Sequence, residues 1–187
     1  MSVQLAIGRL WDGSPLPHDA RGVLSLTDTP SGDILVQVDT KAFGDPIPPA
    51  PAGSFARLWE YEVVELFLAG HRSEYLEVEL GPAGHYLVLM LAGIRMPVRS
   101  ELPLDYHARL EHGRFRGKAR IPAQYLPAGP LRANAYAIHR HPCCQPVVPG
   151  STDPPPTRCY HAHAAVPGPK PDFHQPDHFV PIDLFDD

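Results

Sequence analysis

The sequence predicts an all-β protein built as an antiparallel two-sheet β-sandwich, immunoglobulin-like or jelly-roll-like, with about nine or ten short strands and little helix. Proline accounts for 24 of the 187 residues, and a proline ring in a helix interior costs about 3 kcal/mol. Apolar and polar residues alternate along several short segments, which is the periodicity of a strand with one buried face. Turn residues separate these segments at the spacing typical of antiparallel sheets, and the length suits one domain over residues 1–187.

The first half of the chain supplies five of the predicted strands. Apolar residues alternate on both sides of the turn-forming residues 29–32, which predicts a hairpin within residues 22–39. Prolines then crowd residues 45–51, and their missing amide donors predict a loop between two sheet regions. The next three predicted strands are Glu62–Leu68, Tyr75–Leu80 and His85–Leu91.

Residues 105–121 predict the clearest hairpin, with a two-residue loop at His112-Gly113. This register pairs Tyr106 with Ala119, so that inward-facing residues meet one another. On the outer face it places charges of mostly opposite sign across from one another. We interpret the basic stripe on this face as solvated surface rather than as an anion site: Arg114, Arg116, Lys118 and Arg120.

The C-terminal part of the chain mixes strands with proline-rich loop. Strands are expected at Leu131–Arg140 and Arg158–Val166, with a Pro-rich loop at residues 142–157 between them. A short strand at Phe179–Leu184 is expected to close the fold.

Composition and charge exclude several classes of function. The formal charge of -5 at pH 7 provides no field to hold nucleic acid or an anionic membrane. The longest apolar run, Tyr86–Ile94, is about half of a membrane span, and residues 1–13 lack the regions of a signal peptide. Three cysteines, Cys143, Cys144 and Cys159, form no disulfide framework, which favours reduced thiols in the cytoplasm. The sequence also lacks a P-loop, a G-x-G-x-x-G, an H-E-x-x-H and a C-x-x-C motif.

Carboxylates and aromatic residues concentrate on two predicted strands, around Trp59 and Tyr61. The glutamates are Glu60, Glu62 and Glu65 on one strand and Glu74, Glu77 and Glu79 on the next. An aromatic platform with carboxylates beside it suits a saccharide, and two carboxyls at the right separation suit a glycosidase. Exposed sheet carboxylates with no ligand also explain the pattern, so the three interpretations stay open.

Histidine and cysteine donors recur on the two late strands. Cys159, His161 and His163 alternate onto one face of a strand, and His139 and His141 share a face of the preceding strand. Neighbouring strands could therefore present nitrogen and sulfur ligands to a transition metal. The spacing matches no standard zinc motif, and polar surface residues explain it without any cofactor.

Three motifs in a fixed order resemble a known family. They are W-E-Y-E-V-V-E-L-F-L at residues 59–68, Y-L-E-V-E-L-G-P-A-G at residues 75–84, and P-D-F-H-Q-P at residues 171–176 leading to Phe179. Together they resemble the family 9 carbohydrate-binding-module-like β-sandwich, and in particular a cytosolic branch of it. The resemblance spans roughly residues 24–184 and implies the sandwich fold.

The resemblance also implies roles for individual residues. In the sugar-binding members, two aromatic rings clamp a terminal sugar, while a Glu, a basic residue and amide side chains bind its hydroxyls. By resemblance, Glu65 is that Glu, Phe173 takes the place of one clamping ring with His174 beside it, and Trp59 is the second ring. The same broad sandwich group includes haem-binding and other ligand-binding domains.

Two positions depart from the sugar-binding pattern: Glu77 stands where those members carry Arg, and Tyr136, after Asn134, stands near an expected amide. The first hypothesis is a non-catalytic domain that binds a saccharide or a similar polar ligand, without nucleic acid or membrane partners. Its predicted ligand-binding residues are Trp59, Glu65, Glu77, Tyr136, Phe173 and His174.

Two further hypotheses come from different classes. One is a metal-dependent protein or enzyme that uses Cys159, His161, His163 and His139. The other is a protein-interaction module that contacts a partner through its Pro-rich loops.

Overall fold

The computed structural model describes residues 1–140 and 158–185 of the chain. Of the sequence-based predictions, Cys143, Cys144, His141 and the Pro-rich loop at 142–157 lie outside these residues. The strands in chain order are β1 (Ser2–Ile7), β2 (Arg9–Leu10), β3 (Gly22–Asp28), β4 (Ile34–Lys41), β5 (Gly53–Ser54), β6 (Val63–Ala69), β7 (Glu74–Leu80), β8 (His85–Ala92), β9 (Pro97–Arg99), β10 (Asp105–Glu111), β11 (Arg114–Ile121), β12 (Arg132–His139), β13 (Cys159–Ala162) and β14 (Val180–Pro181).

These strands form two packed sheets, which confirms the predicted β-sandwich. One sheet has five strands in the order β1-β3-β4-β11-β10, and the other has nine, in the order β2-β13-β12-β6-β7-β8-β5 with β14 beside β12 and β9 beside β8. Pairing is antiparallel except for the two-residue contact of β5 with β8. Four strands have only two or three residues, so the ten longer ones match the predicted number.

The main core lies between the two sheets. Alternation along each strand turns every second residue inward, and the inward side chains of both sheets form one apolar cluster. The five-stranded sheet contributes residues such as Leu24, Leu26 and Val36, and the nine-stranded sheet contributes residues such as Leu66 and Val78.

The hairpin of β10 and β11 has the predicted register. Tyr106 pairs with Ala119 and Leu110 with Phe115. The loop residues His112 and Gly113 have φ values of 49° and 74°, which are the left-handed values of a type I′ turn. Leu110 is 60% exposed although its partner Phe115 is buried, because β10 is the edge strand of the sheet.

Three strand predictions needed correction. The strand predicted at Arg158–Val166 is β13, which ends at Ala162, because Val166 packs on the outward face of the sheet instead of continuing its edge. The N-terminal residues form β1, which pairs with β3 across the connection through β2; sequence analysis placed no strand there. The predicted closing strand at 179–184 is reduced to β14, which pairs with Arg132 and Ala133 of β12. The proline-rich residues 45–51 lie in the connection between β4 and β5, as predicted.

The nine-stranded sheet is buried on its outward face as well. Every residue of β6 is buried, and a second apolar cluster covers this face, including Phe67, Tyr75, Tyr136 and Phe173. Part of the cover comes from residues 163–179, which follow β13 and which we call the cover segment. A single 3-10 turn, Leu58–Glu60, packs against the same face. The helical segments in the described part of the chain have three residues each, far below the roughly 20 that a membrane-spanning helix requires.

Candidate functional site

A cavity of about 390 Å³ opens on the outward face of the nine-stranded sheet. This volume falls within the range of small-molecule sites, about 300–1,000 Å³. Its ionisable lining residues are Glu65, Glu77, Arg95, Arg158 and His174. Its aromatic and apolar lining includes Trp59, Phe67, Leu89, Ile138, Tyr160 and Phe173. Five of the six predicted ligand-binding residues therefore line one cavity, and Tyr136 lies behind Phe173.

Strand register places the floor residues next to one another. Phe67 of β6 is opposite Glu77 of β7, and Glu77 is opposite Leu89 of β8. Glu65 of β6 is opposite Glu79 of β7. Directly opposed residues share a face of a sheet, so these side chains all point out of the sandwich core and toward the cavity.

Trp59 stands at the rim of the cavity. It lies in the 3-10 turn at 58–60, which follows Arg57 in a left-handed conformation, φ 62°. The guanidinium of Arg158 donates a hydrogen bond to the carbonyl of Trp59 and so joins the turn to the start of β13. Trp59 is 39% exposed, which leaves much of its ring available to a ligand.

Phe173 is held in place by an aromatic stack. Its ring lies 3.7 Å from the ring of Tyr136, centroid to centroid, at an interplanar angle of 12°. The Nδ2 of Asn134 donates to the hydroxyl of Tyr136 at 2.7 Å and to the carbonyl of Ala164 at 3.1 Å, and its Oδ1 accepts from the amide of Ala164 at 3.0 Å. The expected amide therefore positions Tyr136 and the cover segment and does not line the cavity.

Three carboxyls cluster beneath the cavity. Glu65, Glu77 and Glu79 are only 3%, 4% and 0% exposed, and one oxygen of each lies within 4.8 Å of the others. This result contradicts the interpretation of these residues as exposed sheet carboxylates. The cluster is buried because the strands that carry it are covered on both faces.

Burial determines the protonation of this cluster. Loss of hydration raises the pKa of Glu65 and of Glu79 well above the usual range, and the neighbouring carboxylates add to the increase. Desolvation also raises the pKa of Glu77, to about 7, while the charge of Arg95 opposes the increase. Glu77 is therefore the carboxyl of the cluster that ionises near neutral pH, and it lines the cavity.

His174 connects the carboxyl cluster to the rim. The amide of Arg95 donates to the hydroxyl of Tyr75 at 3.0 Å, and that hydroxyl lies 2.7 Å from Nδ1 of His174. The other ring nitrogen of His174, Nε2, lies 3.9 Å from Glu77 Oε2. Desolvation lowers the pKa of His174 to about 4, which keeps the ring neutral.

A salt bridge fastens the cover segment at the same edge of the cavity. Arg95 bonds to Asp172 at 2.8 Å, and Asp172 accepts the amide of His174 at 3.2 Å. The charge of Arg95 is therefore already neutralised by a protein carboxylate, whereas Arg158 is a cation that lies near Glu65 and lowers its pKa.

The predicted metal ligands lie elsewhere, toward the β13 edge of the nine-stranded sheet. Nε2 of His139 and Nε2 of His161 are 3.0 Å apart, and both rings are buried. Cys159 is buried beside Leu10 and Leu16, whereas Nδ1 of His163 hydrogen-bonds to the carbonyl of Ala6 at 3.1 Å.

The structure therefore brings two of the four predicted metal ligands into contact. In residues 1–140 and 158–185, the one set of three donors whose ligand atoms lie within 4.8 Å of one another is Glu65, Glu77 and Glu79.

Sequence analysis missed several residues of the cavity. Arg158 follows the Pro-rich loop, with no pattern to mark it, and Arg95 and Pro97 flank a turn between two strands. Tyr160 alternates with the predicted donors of β13 and so faces the cavity. Tyr160 could have been found from the sequence, because the residue after Cys159 must point to the opposite face of the same strand.

A second concavity, of about 490 Å³, lies on the open face of the five-stranded sheet. It is larger, but the Asp39 and Arg116 of its lining belong to a solvated ion-pair group in which Asp39 bridges Arg114 and Arg116. On the same face Asp33 bridges Arg120 at 3.1 Å, so Arg114, Arg116 and Arg120 of the basic stripe all pair with carboxylates, as expected of a solvated surface. The buried charges of the smaller cavity make it the stronger candidate site.

Comparison with known proteins identifies the family. No family model matches the chain. A protein of Mus musculus, UPF0462 protein C4orf33 homolog, is 39% identical over 183 residues, which cover 92% of this chain and 86% of the relative. The chain belongs to the UPF0462 family. The UPF0462 protein of Homo sapiens is 36% identical over 184 residues, covering 92% and 84% of the two chains, and that of Danio rerio is 40% identical over 139 residues, covering 71% and 68%.

Solved structures share the fold of this UPF0462 protein. A proposed carbohydrate-binding protein from Bacteroides uniformis superposes with a TM-score of 0.66 at 14% identity, covering 97% of this chain and 84% of the other. A family 9 carbohydrate-binding module from Caldicellulosiruptor kristjanssonii, in complex with cellotriose, has a TM-score of 0.50 at 14% identity, covering 87% and 74%. These similarities confirm that the UPF0462 chain has the carbohydrate-binding-module-like sandwich fold.

Proposed function

We propose that this UPF0462 protein is a non-catalytic domain that binds a saccharide in the cavity on the nine-stranded sheet. The observation that carries the proposal is the pairing of aromatic walls with a buried, charged floor in one cavity. Family 9 carbohydrate-binding modules and this chain share the fold, which adds support of a more general kind.

The lining matches the two chemical sides of a pyranose. Trp59 and Phe173 supply aromatic surface for the apolar C–H face of a sugar ring. Glu65 and Glu77 offer carboxyl oxygens to hydroxyl groups, and Arg158 offers N–H donors. A bound sugar would therefore stack against the walls while its hydroxyls reach the floor.

The arrangement of the carboxyls supports binding rather than hydrolysis. A glycosidase holds two carboxyls on either side of the scissile bond, about 5–5.5 Å or 6.5–9.5 Å apart. Here the three carboxyls form one group beneath the cavity, with oxygens within 4.8 Å of one another. Glu79 is entirely buried behind the other two, so the group contacts a ligand from one side.

A titration tests this function. We expect neutral mono- and disaccharides, taken from a glycan array and followed by calorimetry, to bind the full chain and to change the fluorescence of Trp59. Trp59→Ala removes a ring that is 39% exposed, so it should weaken binding about tenfold or more at nearly unchanged stability. Trp59→Phe, which keeps an aromatic face, should retain most of the affinity.

Two results would contradict the proposal. One is an array on which no saccharide binds the wild-type protein. The other is a saccharide that binds with equal affinity to wild type and to Trp59→Ala.

A second candidate function uses the histidine pair. Two nitrogen ligands at about 2.0–2.1 Å from a tetrahedral metal are about 3.3 Å apart, and the Nε2 atoms of His139 and His161 are 3.0 Å apart. We expect elemental analysis of untagged protein to find about one equivalent of a transition metal. His161→Ala should lose it, while His163→Ala, whose Nδ1 bonds to Ala6, should keep it. Metal far below one equivalent after reconstitution with zinc would rule this function out.

We further propose that the protein acts in the cytoplasm as a single domain, which the sequence resemblance implies. Fractionation of the cells that produce it should recover the chain with soluble cytoplasmic markers. Recovery with secreted or membrane fractions would contradict this location.

A further inference from the structure

We infer that the cavity selects a saccharide that carries an ammonium group, an amino sugar, and that Glu77 is the residue that recognises this group. The inference rests on the proposed function, because it names the class of sugar that the same cavity takes. Three features of the cavity floor carry it: its charge, the unmet hydrogen bonding of Glu77, and the chemistry of the remaining lining.

The floor contains more carboxyls than nearby cations. Glu65, Glu77 and Glu79 are buried within 4.8 Å of one another. Arg95 is already bonded to Asp172 at 2.8 Å, which leaves Arg158 as the guanidinium beside Glu65. A buried carboxylate is costly without a cation or several donors, so the carboxyls of the floor hold protons that a cationic ligand could replace.

Glu77 differs from another buried carboxylate of the same protein. Glu62 accepts hydrogen bonds from the amides of Phe43, Gly44 and Asp45 at 2.9, 2.9 and 3.2 Å. By contrast, Oε2 of Glu77 is buried, and no N–H group of the described residues donates to it. The fold therefore supplies hydrogen-bond donors to the carboxylate of Glu62 and leaves Oε2 of Glu77 to accept one from a ligand.

The rest of the lining favours an organic cation over a metal ion. A calcium ion takes six to eight oxygen ligands. Around the carboxyls, however, the cavity is lined by hydrocarbon and aromatic side chains that offer a metal ion no further oxygen ligands, such as Phe67, Leu89 and Ile138. An ammonium group needs three acceptors at most, and the carbon skeleton of a sugar fits the walls formed by Trp59 and Phe173.

Binding of such a ligand depends on pH through the groups that face Glu77. Glu77 has a pKa of about 7, so an ammonium ligand at pH 6.5 must displace a proton from it. Affinity for an amino sugar should therefore rise between pH 5.5 and pH 6.5. The neighbouring groups that set this behaviour are Glu65, Glu79, Tyr75, Arg95, Arg158 and His174.

The test compares matched sugars by calorimetry on the full chain at pH 6.5: glucosamine against glucose, and the β-1,4 disaccharide of glucosamine against cellobiose. We expect each amino sugar to bind about tenfold or more tightly than its neutral partner, because a charge-assisted hydrogen bond is about twice as strong as a neutral one. Repeating the titration in buffers of low and high ionisation enthalpy should show net proton release for the amino sugars.

Glu77→Gln keeps the size of the side chain and removes its charge. It should reduce the ratio of amino-sugar to neutral-sugar affinity to about one, because the amide oxygen still accepts a hydrogen bond from a hydroxyl group but carries no charge to hold an ammonium group. The matched control is Glu74→Gln on the same strand, because Glu74 is exposed and does not line the cavity; it should leave the ratio unchanged.

The possible failures are distinguishable. If neutral sugars bind and amino sugars bind no better, the inference fails and the proposed function stands. If neither binds, the proposed function fails with it. If Mn²⁺ or Ca²⁺ binds at micromolar concentration and displaces the amino sugar, the floor is a metal site and the inference is wrong. Proton release by the wild type remains decisive even if Glu77→Gln does not fold.

Discussion

The outward faces of the two sheets are built from the same kind of strand and have opposite properties. On the five-stranded sheet, β11 alternates between buried residues and exposed or half-buried ones, and its arginines pair with carboxylates in contact with water. On the nine-stranded sheet, every residue of β6 is buried, and the polar residues on its outward face include Glu65. A polar residue that alternates with apolar ones can therefore mark either a solvated surface or a covered site.

The covering elements make the difference. The cover segment at 163–179 and the 3-10 turn at 58–60 lie over the nine-stranded sheet, whereas the described residues leave the β10–β11 face open. Water screens charges on the open face, so ion pairs there are worth about 0–1 kcal/mol. Beneath the cover the same groups are desolvated, and their pKa values change.

The largest expected difference between the faces is in the cost of removing a polar side chain. Asn134→Ala on the covered face should destabilise the fold by about 3 kcal/mol, because it leaves the hydroxyl of Tyr136 and the backbone of Ala164 without their partners. Gln37→Ala on the open face, where the side chain is exposed, should change stability by at most about 0.5 kcal/mol. Chemical denaturation measures both, and equal effects would contradict the distinction.

The pH dependence of stability provides a second contrast. The pKa of Glu77 is raised by folding to about 7, so its stabilising proton is fully bound below the unfolded pKa and is lost as pH rises through 7. Glu77→Gln should therefore stabilise the protein relative to wild type by an amount that grows by on the order of 2 kcal/mol between pH 5 and pH 8. Taking the difference from wild type removes the opposing contributions of His161 and His174, whose lowered pKa values act at acid pH.

Denaturation curves of the two proteins at both pH values make this measurement. Glu111→Gln, on the open hairpin and partly exposed, is the control and should show no such growth. If the difference in unfolding free energy between wild type and Glu77→Gln stays constant with pH, the pKa of Glu77 is the same in the folded and unfolded protein, which would contradict the account.

The smallest effect is expected from the ion pairs of the open face. Asp39 is 40% exposed and bridges Arg114 and Arg116. Asp39→Asn should change the free energy of unfolding by at most about 1 kcal/mol, and by less in 1 M salt, because surface pairs are screened. A loss of several kcal/mol would mean that this face is not a simple solvated surface.

Local patterns were sufficient to predict much of the fold. The β10–β11 hairpin could be predicted to the register because a two-residue loop fixes which residues pair. The strand β1 could not be predicted in this way. It pairs with β3, but β2 lies between the two in the chain, so no short turn marks the pairing in the sequence. The position of Glu65 followed from a motif, but its burial did not, because the cover segment that encloses it lies about 100 residues later in the chain.

The histidines show the same limit. Alternation correctly placed Cys159 and His161 on one face of β13. Which of these residues contacts His139 depends on how β12 and β13 pair, and in the structure His139 is directly opposite Cys159. A long Pro-rich sequence connects β12 and β13, and it contains no short turn that would fix which residues of the two strands pair.

The account depends on the covered face being the binding face, and NMR chemical-shift mapping tests this most directly. Titration of ¹⁵N-labelled protein with glucosamine disaccharide should shift the indole signal of Trp59 and the amides of Glu77, Arg158 and Phe173. The amides of β4, β10 and β11 on the open sheet should remain in place. Shifts confined to the open sheet, or no shifts with either the amino or the neutral disaccharide, would contradict it.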